Sequence, residues 1–463
     1  MNSHDTIVVG AGPVGLWTAA ELARGGGRPL VLDRAVERSP HSKALGIHPH
    51  TLEVLAMRGQ EQAFLDGGLP VPDWHFGMLA TRLDFRDLAT PFPFMLAHPQ
   101  LRTEELLEQQ ARALGVVIRR GHQVVGLAQD ERGVRLRVQG PDGEHELTAE
   151  HVVGADGAGS AVRRAAGFDF PGTDSTVFGH LGDVLLAEPP EKPRSWHNEH
   201  GALIVAPLPG GRWRVTGTVT DPVAAEPTLA FLRDMARRVA GTDFGMHSPV
   251  WLSRFGNATR LVTEYRRGRV FLAGDAAHIN FPAGGVGLNV GVQDAMNLGW
   301  KLAAVQSGRA GEALLDSYHR ERHPVGVALG EHTQAQTALI TATTPEGRAL
   351  RRFVEDLLRS HPGVATGVAN LITALDVSYP DGPRLAASRE QLRLLREARP
   401  VLLTQEPPSP ELTALAVRTD LRLHVIGFDH PGTTVLVRPD GHVWAAGDSA
   451  EVLAKAMAEL PLR

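Results

Sequence analysis

The chain has 463 residues, a length that suggests about three domains. Its formal net charge of −5 argues against nucleic acid as a partner, and no segment approaches the roughly 20 apolar residues that a membrane span requires. The sequence contains no cysteine, which excludes disulfides, thiolate metal sites, cysteine-linked cofactors and thiol redox chemistry. Asp5 leads directly into an apolar strand instead of a basic region followed by an apolar run, so we expect a cytoplasmic protein without a secretory signal.

The first predicted unit is a strand over 6–9, a glycine-rich turn and a helix that ends near Arg24. Gly10 permits the tight turn, and Gly12 lets a pyrophosphate group approach the backbone. Gly15 allows the helix to pack closely on the strand. This order is typical of a dinucleotide-binding unit, although the glycines alone do not distinguish NAD from FAD.

Two acidic residues follow further predicted strands. The strand over 28–32 ends at Asp33, 18 residues after the last glycine of the turn (33 − 15 = 18), where a carboxylate can accept hydrogen bonds from a ribose. A strand over 151–155 runs into a turn and helix that carry Asp156 and Arg163. We expect these two side chains to form hydrogen bonds and an ion pair around a phosphate-bearing cofactor.

The most informative stretch is 268–304. It contains a short apolar strand over 270–273, a loop with the glycines of 284–287, and a helix over 292–305 with one buried face. Glycine lets backbone amides approach a ligand closely. The start of the helix favours an anionic or electron-rich ligand because its first amides are unpaired and carry partial positive charge.

These segments occur in the same order as in the FAD-dependent aromatic hydroxylases, the class A flavoprotein monooxygenases, which residues 5–330 resemble. The length and the tail resemble the rifampicin monooxygenase and polyketide hydroxylase branch most. The resemblance implies an α/β fold: a Rossmann-like FAD domain of the glutathione-reductase type, an inserted mainly-β substrate domain and a small thioredoxin-like C-terminal domain. The expected boundaries are 1–74, 101–168 and 266–375 for the FAD domain, 75–100 and 169–265 for the substrate domain, and 381–463 for the C-terminal domain.

The implied activity is hydroxylation of a large aromatic or polyketide-type substrate. In the family, NADPH or NADH reduces a non-covalent FAD transiently, and the reduced flavin captures O2 as a C(4a)-hydroperoxide that transfers one oxygen atom. No second GxGxxG unit follows Asp33, which argues against two-dinucleotide-domain reductases and Baeyer–Villiger enzymes. The expected partner is a small aromatic molecule, with neither nucleic acid nor membrane, and the chain is expected to be a monomer or homodimer.

Two alternatives stay open. One is another flavoenzyme chemistry on the same fold, such as a halogenase or an isoprenoid reductase, although the sequence lacks the WxWxIP segment of halogenases. The other is a non-enzymatic flavin-binding redox sensor or a partner-binding module. Substrate-stimulated NADPH oxidation separates them, since a sensor has no such substrate.

By resemblance, the flavin is positioned by Pro282 and Gly285 and by the amides of Leu288 and Asn289, which would donate to its N1–C2=O edge as an oxyanion hole does. No side-chain base and no metal ligand are assigned. The predicted cofactor-binding residues are Gly10, Gly12, Pro13, Gly15, Asp33, Arg34, Lys43, Gln100, Asp156, Arg163, Gly274, Asp275, Pro282, Gly285, Gly287, Leu288 and Asn289. Val286 suggests an apolar substrate wall within the glycine loop.

The 21 histidines predict no metal site. The pair His319 and His323 lacks the HExxH order, and a solvated helix face is the favoured interpretation. His278 is equally compatible with a buried hydrogen-bonded residue and with a cofactor contact. The segment 196–200 could supply a phenol base, although surface loop histidines are commoner. On the strand over 213–219, alternation predicts that either Trp213 or Arg214 points inward, without deciding which.

The remaining predictions concern helices and the tail. Charged helices are predicted over 351–358 and 389–399 and are interpreted as solvated. Because the tail has no thiol, it is expected to be structural or an interface. Its apolar strand segments 423–426 and 435–437 must then be buried within the tail or against the FAD domain. An amphipathic closing helix is predicted, with Val452, Leu453, Met457 and Leu460 as its apolar residues.

Overall fold

The computed structural model describes residues 3–220, 227–428, 433–447 and 449–458. The proline at Pro222 also predicts a loop there with Asp221. These two residues and Leu460 of the predicted closing helix fall outside the described residues. No helix in the described ranges is long and apolar enough to cross a membrane.

Strands and helices alternate along the chain. The strands of the first part are β1 (Ser3–Val9), β2 (Leu30–Asp33), β3 (Gly46–Ile47), β4 (Leu69–Val71), β5 (Asp73–His75), β6 (Arg82–Asp84), β7 (Met95–Ala97), β8 (Val117–Arg120), β9 (Gln123–Asp130), β10 (Gly133–Gly140) and β11 (Gly143–Gly154). The middle part contains β12 (Gly172–Thr173), β13 (Phe178–Leu186), β14 (Arg194–Asn198), β15 (Gly201–Leu208), β16 (Arg212–Val219), β17 (Met246–Gly256), β18 (Thr259–Leu261), β19 (Arg266–Arg267), β20 (Val270–Leu272) and β21 (His278–Ile279). The last part contains β22 (Ser378–Tyr379), β23 (Gly382–Pro383), β24 (Val401–Thr404), β25 (Arg422–Val425), β26 (Thr434–Val437) and β27 (Val443–Gly447).

The helices are α1 (Pro13–Arg24), α2 (Pro49–Ala56), α3 (Glu61–Leu65), α4 (Gln100–Ala113), α5 (Ala161–Ala165), α6 (Leu229–Ala240), α7 (Gly287–Gln306), α8 (Ala313–Ile340), α9 (Pro345–Ser360), α10 (Pro362–Thr373), α11 (Arg389–Arg393), α12 (Pro410–Arg418) and α13 (Ala450–Ala458). Single 3₁₀ turns lie at Pro209–Gly211, Gly274–Ala276 and Ala283–Gly285.

The largest sheet has the order β19-β20-β11-β1-β2-β8, and the pairings from β20 to β8 are parallel. This confirms the predicted parallel sheet. The prediction placed a strand only over 151–155, whereas β11 begins at Gly143 and carries the antiparallel pair β9 and β10 at its side. Along β10, buried and exposed residues alternate, as expected for a sheet with one solvated face.

A five-stranded antiparallel sheet, in the order β14-β15-β16-β13-β17, forms the inserted β region. Helix α6 covers one of its faces and packs Leu232 and Met235 against Val205 and Val215. On β16 the alternation is now resolved: Arg214 is buried and pairs with Asp183, while Trp213 is half-buried.

The two charged helices differ from their predicted character. Arg351 on α9 is buried and donates hydrogen bonds to the carbonyl groups of Gly77, Met78 and Leu339, so this face of the helix is not solvated. Helix α11 ends at Arg393, well before the predicted residue 399, and the chain turns through Ala398 with a φ of 54°.

The tail has the sheet order β25-β24-β26-β27, in which β24 and β25 are parallel and the other two pairings are antiparallel. Helix α12 connects the parallel pair and α13 follows the last strand, so the thioredoxin-like topology is confirmed. The tail shares an apolar cluster with α7 and the start of α8. Members of this cluster include Trp300, Ala304 and Leu314 on the helices and Leu402, Leu436, Trp444 and Leu453 in the tail.

Candidate active site

The region at the carboxyl ends of the parallel strands β1, β2, β11 and β20, called the cleft below, borders open space at Gly12, Gly157 and Gly159. The segments that follow these strands carry the predicted glycines, Asp33, Asp156 and Asp275. Carboxyl ends of parallel strands meet at one edge of a sheet, which is where α/β proteins bind their ligands. The fold therefore brings together residues that lie more than 200 positions apart in the sequence.

The three glycines of the first turn have different surroundings. A methyl group on Gly10, whose φ is 108°, would lie 2.3 Å from the Ala155 carbonyl oxygen, and one on Gly15 would lie 1.9 Å from the Gly10 carbonyl oxygen. These two glycines are required by packing. A methyl group on Gly12 would meet no atom of the described residues within 4 Å, so this residue borders open space at the start of α1.

Asp33 is fixed at the end of β2 by backbone amides. Its carboxylate accepts hydrogen bonds from the amides of Ala11, at 2.6 Å, and Ala35, at 2.8 Å. The neighbouring Arg34 is exposed. The carboxylate therefore braces the glycine turn beside the open space.

The structure corrects one predicted interaction at the second acidic motif. Asp156 accepts hydrogen bonds from the Ser160 hydroxyl and the Ala161 amide, whereas the Arg163 guanidinium donates to the carbonyl groups of Ala158, at 2.7 Å, and Ala276, at 2.9 Å. The predicted ion pair between Asp156 and Arg163 is not formed within the described ranges. Arg163 instead joins the loop after β11 to the turn after β20.

Asp275 is solvent-exposed although protein surrounds it on most sides, as expected for a side chain on the floor of a cleft. The surrounding protein raises the pKa of the Asp275 carboxyl by desolvation, and the charges of His278 and Lys43 oppose this increase. Lys43 is itself exposed. An acid and a base from distant segments thus face the same cleft without forming a close ion pair.

Sequence reasoning missed the residues that hold the Lys43 loop. Arg214 donates to the carbonyl groups of Ser42, at 2.6 Å, and Lys43, at 3.2 Å, and it pairs with Asp183 at 2.8 and 2.9 Å. The five-stranded sheet therefore fixes a segment of the cofactor cleft. Alternation on β16 gave a partial signal, because it required either Arg214 or its neighbour to be buried.

Helix α7 begins at Gly287, five residues before its predicted start (292 − 287 = 5). Leu288 and Asn289 lie in its first turn, and their amides precede the Val290 amide, which donates to the Val286 carbonyl group at 3.0 Å. Val286 is buried against Val290 and Leu329, so it belongs to a core cluster and is not a substrate wall.

The Asn289 side chain fixes the geometry of the glycine loop. Its Oδ1 accepts from the His48 amide at 2.8 Å, and its Nδ2 donates to the carbonyl groups of Gly285, at 3.0 Å, and Gly46, at 3.2 Å. Pro282 is exposed at the edge of the same loop. The helix start and the glycine loop are consequently held as one unit.

Gln100 lies at the start of α4, where protein atoms occupy both ends of its amide. Its Oε1 accepts from the Ala44 amide at 3.0 Å, and its Nε2 donates to Glu104 at 2.7 Å. It thereby supports the segment that follows Lys43.

Histidines surround the glycine loop on its other side. His48 Nε2 donates to the Gly284 carbonyl group at 3.0 Å, and the Trp74 indole donates to the same oxygen at 3.1 Å. Burial lowers the pKa of His48 to about 4, that of His75 to about 3 and that of His332 to about 4. These imidazoles are therefore neutral at physiological pH.

The other histidines considered in the sequence analysis contact buried or half-buried protein groups. His197 contacts the Ile340 carbonyl group at 3.0 Å, and burial lowers its pKa to about 4. His319 and His323 are half-buried and pack against the Tyr265 ring, so they do not form a solvated helix face. His278 is buried and donates to Asp294 at 2.8 Å.

The cleft fits FAD on three observations. Within the part of the chain that the structure describes, a methyl group added to Gly12, Gly157 or Gly159 would have no protein atom within 4 Å. The N-termini of α1 and α7 carry amides without a partner inside the helix, and such amides favour phosphate and an electron-rich ring edge. The exposed lysine and aspartate described above supply charge at its rim.

Comparison with known families decides the assignment. Residues 3–333 match the FAD binding domain family, and residues 378–460 match the C-terminal domain of aromatic-ring hydroxylases. The chain belongs to the FAD-dependent aromatic hydroxylases. The fold and the family predicted from the sequence are confirmed.

Similar proteins place this aromatic hydroxylase in the predicted branch. It is 42% identical over 477 residues to a rifampicin monooxygenase of Streptomyces venezuelae, and 97% of each chain is covered. It is 40% identical over 486 residues to an anhydrotetracycline monooxygenase of Streptomyces rimosus, which covers 96% of this chain and 95% of the relative. The solved structure of an anhydrotetracycline hydroxylase from Streptomyces rimosus has a TM-score of 0.89 and 37% identity, with 99% of both chains covered.

Proposed function

We propose that the protein is an NAD(P)H-consuming monooxygenase that adds one oxygen atom to a large aromatic or polyketide-type substrate. The observation that carries this proposal is the juxtaposition of the α7 start and glycine loop with a cluster of aromatic and apolar side chains from the five-stranded sheet. When bound, FAD supplies the chemistry of reduction by NADPH or NADH and of O2 activation as a C(4a)-hydroperoxide. The chain's own residues bind and orient the cofactor and enclose the substrate.

The proposed cofactor contacts are assigned along the cleft from the adenosine end of the cofactor to its middle. Asp33 binds the adenosine ribose, and the open space at Gly12 receives the pyrophosphate. Lys43 and Asp275 hold the middle of the cofactor from opposite sides. The remaining predicted residues, Gly10, Pro13, Gly15, Arg34, Gln100, Asp156, Arg163, Gly274 and Gly287, shape or border the same cleft.

The amides of Leu288 and Asn289 are proposed to stabilise negative charge on the reduced ring edge. They lie in the first turn of a 20-residue helix, and the Asn289 side chain fixes that turn through three hydrogen bonds. Donors held in place before the charge develops stabilise it without reorganisation. Pro282 and Gly285 complete the loop on the side that faces the substrate.

The substrate chamber is proposed to lie between the five-stranded sheet and the glycine loop. Apolar residues from both sides meet there, including Ala202 and Phe255 from the sheet and Phe281 from the loop, and the two phenylalanine rings are 5.3 Å apart. His48, whose Nδ1 is buried without a partner in the described part of the chain, adds a hydrogen-bond acceptor. An apolar chamber with a few neutral polar groups suits a phenolic or quinonoid polycycle.

The test is a substrate screen on the purified holoprotein. Aromatic polyketides, naphthoquinones and rifamycins are assayed with NADPH and with NADH for stimulated oxidation, and the products are analysed for incorporation of one atom from 18O-labelled O2. We expect Phe255→Ala to raise the KM of a positive substrate about tenfold at unchanged FAD content. Reductant oxidation that no compound stimulates would favour the sensor, and stimulation without labelled product would favour another flavoenzyme chemistry.

A substitution at Asp275 tests the proposed cofactor contact separately from folding. Because the Asp275 side chain is solvent-exposed and is not among the buried core residues, Asp275→Ala is expected to lose FAD while the apoprotein keeps its melting temperature. FAD absorbance per chain and calorimetry measure the two quantities. Full FAD occupancy in this variant would contradict the assigned role. The domain boundaries, the cytoplasmic location and the monomeric or dimeric state remain parts of the proposal.

A further inference from the structure

A buried carboxylate behind the cleft holds the turn that carries Asp275. Asp294 on α7 is fully buried, and its Oδ2 accepts hydrogen bonds from the Gly274 amide at 3.1 Å and from His278 Nε2 at 2.8 Å. Its Oδ1 accepts from Arg322 Nε at 2.7 Å. One side chain therefore fixes both ends of the segment 274–278, and Gly274 itself has a φ of 60°.

Arg322 connects this carboxylate to two further elements. It is 1% exposed, and besides Asp294 it donates to the Val290 carbonyl group at 3.3 Å and to the Tyr379 hydroxyl at 3.2 Å. Val290 lies in the first turns of α7, directly after the amides assigned to the flavin. Arg322 thus spans from the start of α7 and the Asp275 turn to the segment that leads into the tail.

Tyr379 continues the chain of contacts into the tail. Its ring stacks on His442 at 4.0 Å, and the Arg438 guanidinium lies 5.0 Å from its centre. Arg438 in turn pairs with Glu321 and Asp440, at 2.7 and 2.6 Å. Every step from the tail turn 438–442 to the Gly274 amide is a direct contact between buried groups.

We propose that Asp294 and Arg322 are positioning residues for FAD, and that the tail acts on FAD affinity through Tyr379. Buried ion pairs contribute little to stability compared with apolar side chains of the same volume. What this pair supplies is a fixed orientation of the 274–278 turn, because Asp294 accepts from its backbone and its histidine at once. The tail, which holds no residue assigned to the cleft, then influences the cofactor without contacting it.

The test compares two single-atom changes with a matched control. Asp294→Asn keeps the shape but loses the charge and one acceptor, and Tyr379→Phe removes only the hydroxyl group that accepts from Arg322. Glu21→Gln is the control, since Glu21 is equally buried and pairs with Arg58, which contacts the tail at the carbonyl groups of Leu395 and Pro439 without reaching the 274–278 turn.

The measurements are the FAD dissociation constant of the apoprotein, the redox potential of the bound flavin and the melting temperature of the apoprotein. We expect the dissociation constant to rise at least 30-fold in Asp294→Asn and three- to tenfold in Tyr379→Phe, with a shifted flavin potential in both. Glu21→Gln should lower the melting temperature without changing the dissociation constant. If Asp294→Asn does not fold, Tyr379→Phe decides. Unchanged FAD affinity in Tyr379→Phe, or an equal loss in Glu21→Gln, would overturn the proposal.

Discussion

Charged residues behave in opposite ways in the cofactor cleft and at the interface between the tail and α7. In the cleft, Lys43 and Asp275 are exposed and face space that the protein leaves open. At the interface, Lys301, Glu321 and Arg438 are buried, and direct hydrogen bonds join them at 2.7 Å. Charged side chains around open space indicate a ligand-binding site, whereas buried charged side chains that pair with one another indicate a structural role.

The pKa shifts show the same contrast. At the interface, desolvation opposes ionisation of Glu321, but Lys301 and Arg438 prevail and lower its pKa to about 2. In the cleft, desolvation prevails and raises the pKa of Asp275. A buried charge is therefore not by itself a sign of function, and the arrangement of its partners is the informative quantity.

Removal of the tail should have the largest effect on the protein. A chain that ends at Pro380 would expose Trp300, Ala304 and Leu314, and it would leave Glu321 without Arg438. We expect aggregation and loss of FAD, measured by light scattering and flavin absorbance, whereas dithiothreitol and thiol alkylation leave the intact protein's activity unaltered because the chain has no cysteine. A monodisperse 1–380 protein with full FAD would show that the tail is an independent appendage.

A single change at the interface should have the next largest effect. Arg438→Met leaves Glu321 and Asp440 buried without their main partner, and breaking such a buried group of charges costs about 3–5 kcal/mol of unfolding free energy. Arg137→Met is the control because Arg137 pairs with Glu144 at the surface, where such pairs contribute within about 0.5 kcal/mol. Chemical denaturation measures the unfolding free energy of both variants. Equal losses of unfolding free energy would contradict the difference between buried, mutually paired charges and exposed ones.

Local signals explain which parts of the fold could be predicted. Glycine turns next to apolar strands depend on few neighbours, so the end of the first strand at Val9 and the end of the first helix at Arg24 were predicted correctly, although the strand begins three residues before its predicted start. The start of α7 was predicted late because Gly287 and Gly291 are poor helix formers. Gly291 is required by tertiary packing, since a methyl group there would lie 2.7 Å from Val14.

The residues that support the site could not be predicted because their partners are distant in the sequence. Asp183 and Arg214 meet only when β13 and β16 pair, and Asp294 meets Arg322 only when α7 packs on α8. The prediction of an ion pair between Asp156 and Arg163 was wrong for the same reason, because the Arg163 guanidinium donates to the carbonyl group of Ala276, which is distant in the sequence. Position along a motif does not determine which partner a long side chain reaches.

The first glycine turn contains both a glycine required by packing and a glycine that borders open space. Gly15→Ala should destabilise the apoprotein, because the added methyl group would lie 1.9 Å from the Gly10 carbonyl oxygen. Gly12→Ala should leave apoprotein stability within about 1 kcal/mol and weaken FAD binding at least tenfold, since Gly12 has an ordinary φ of −81° and only the ligand would meet the methyl group. Calorimetry and FAD titration separate the two effects. If both variants changed apoprotein stability and FAD affinity equally, Gly15 could not be distinguished as a packing residue from Gly12 as a ligand-binding residue.

The smallest expected effect is a pH dependence at His48, a buried imidazole beside the glycine loop. Desolvation lowers its pKa from 6.5 to about 4 in the folded protein. Between these values the unfolded chain binds the extra proton, so stability rises with pH across this window and falls on acidification. His48→Gln keeps a donor for the Gly284 carbonyl group but does not titrate. Relative to the wild-type apoprotein, it should therefore take up about one proton fewer on unfolding near pH 5. Its stability relative to wild type should improve by roughly 1–2 kcal/mol when the pH is lowered from about 7.5 to about 5.5. Urea denaturation at both pH values measures the difference. Parallel pH profiles for the two proteins would show that His48 is protonated in the fold, and would place a charge beside the loop that this structure describes as neutral.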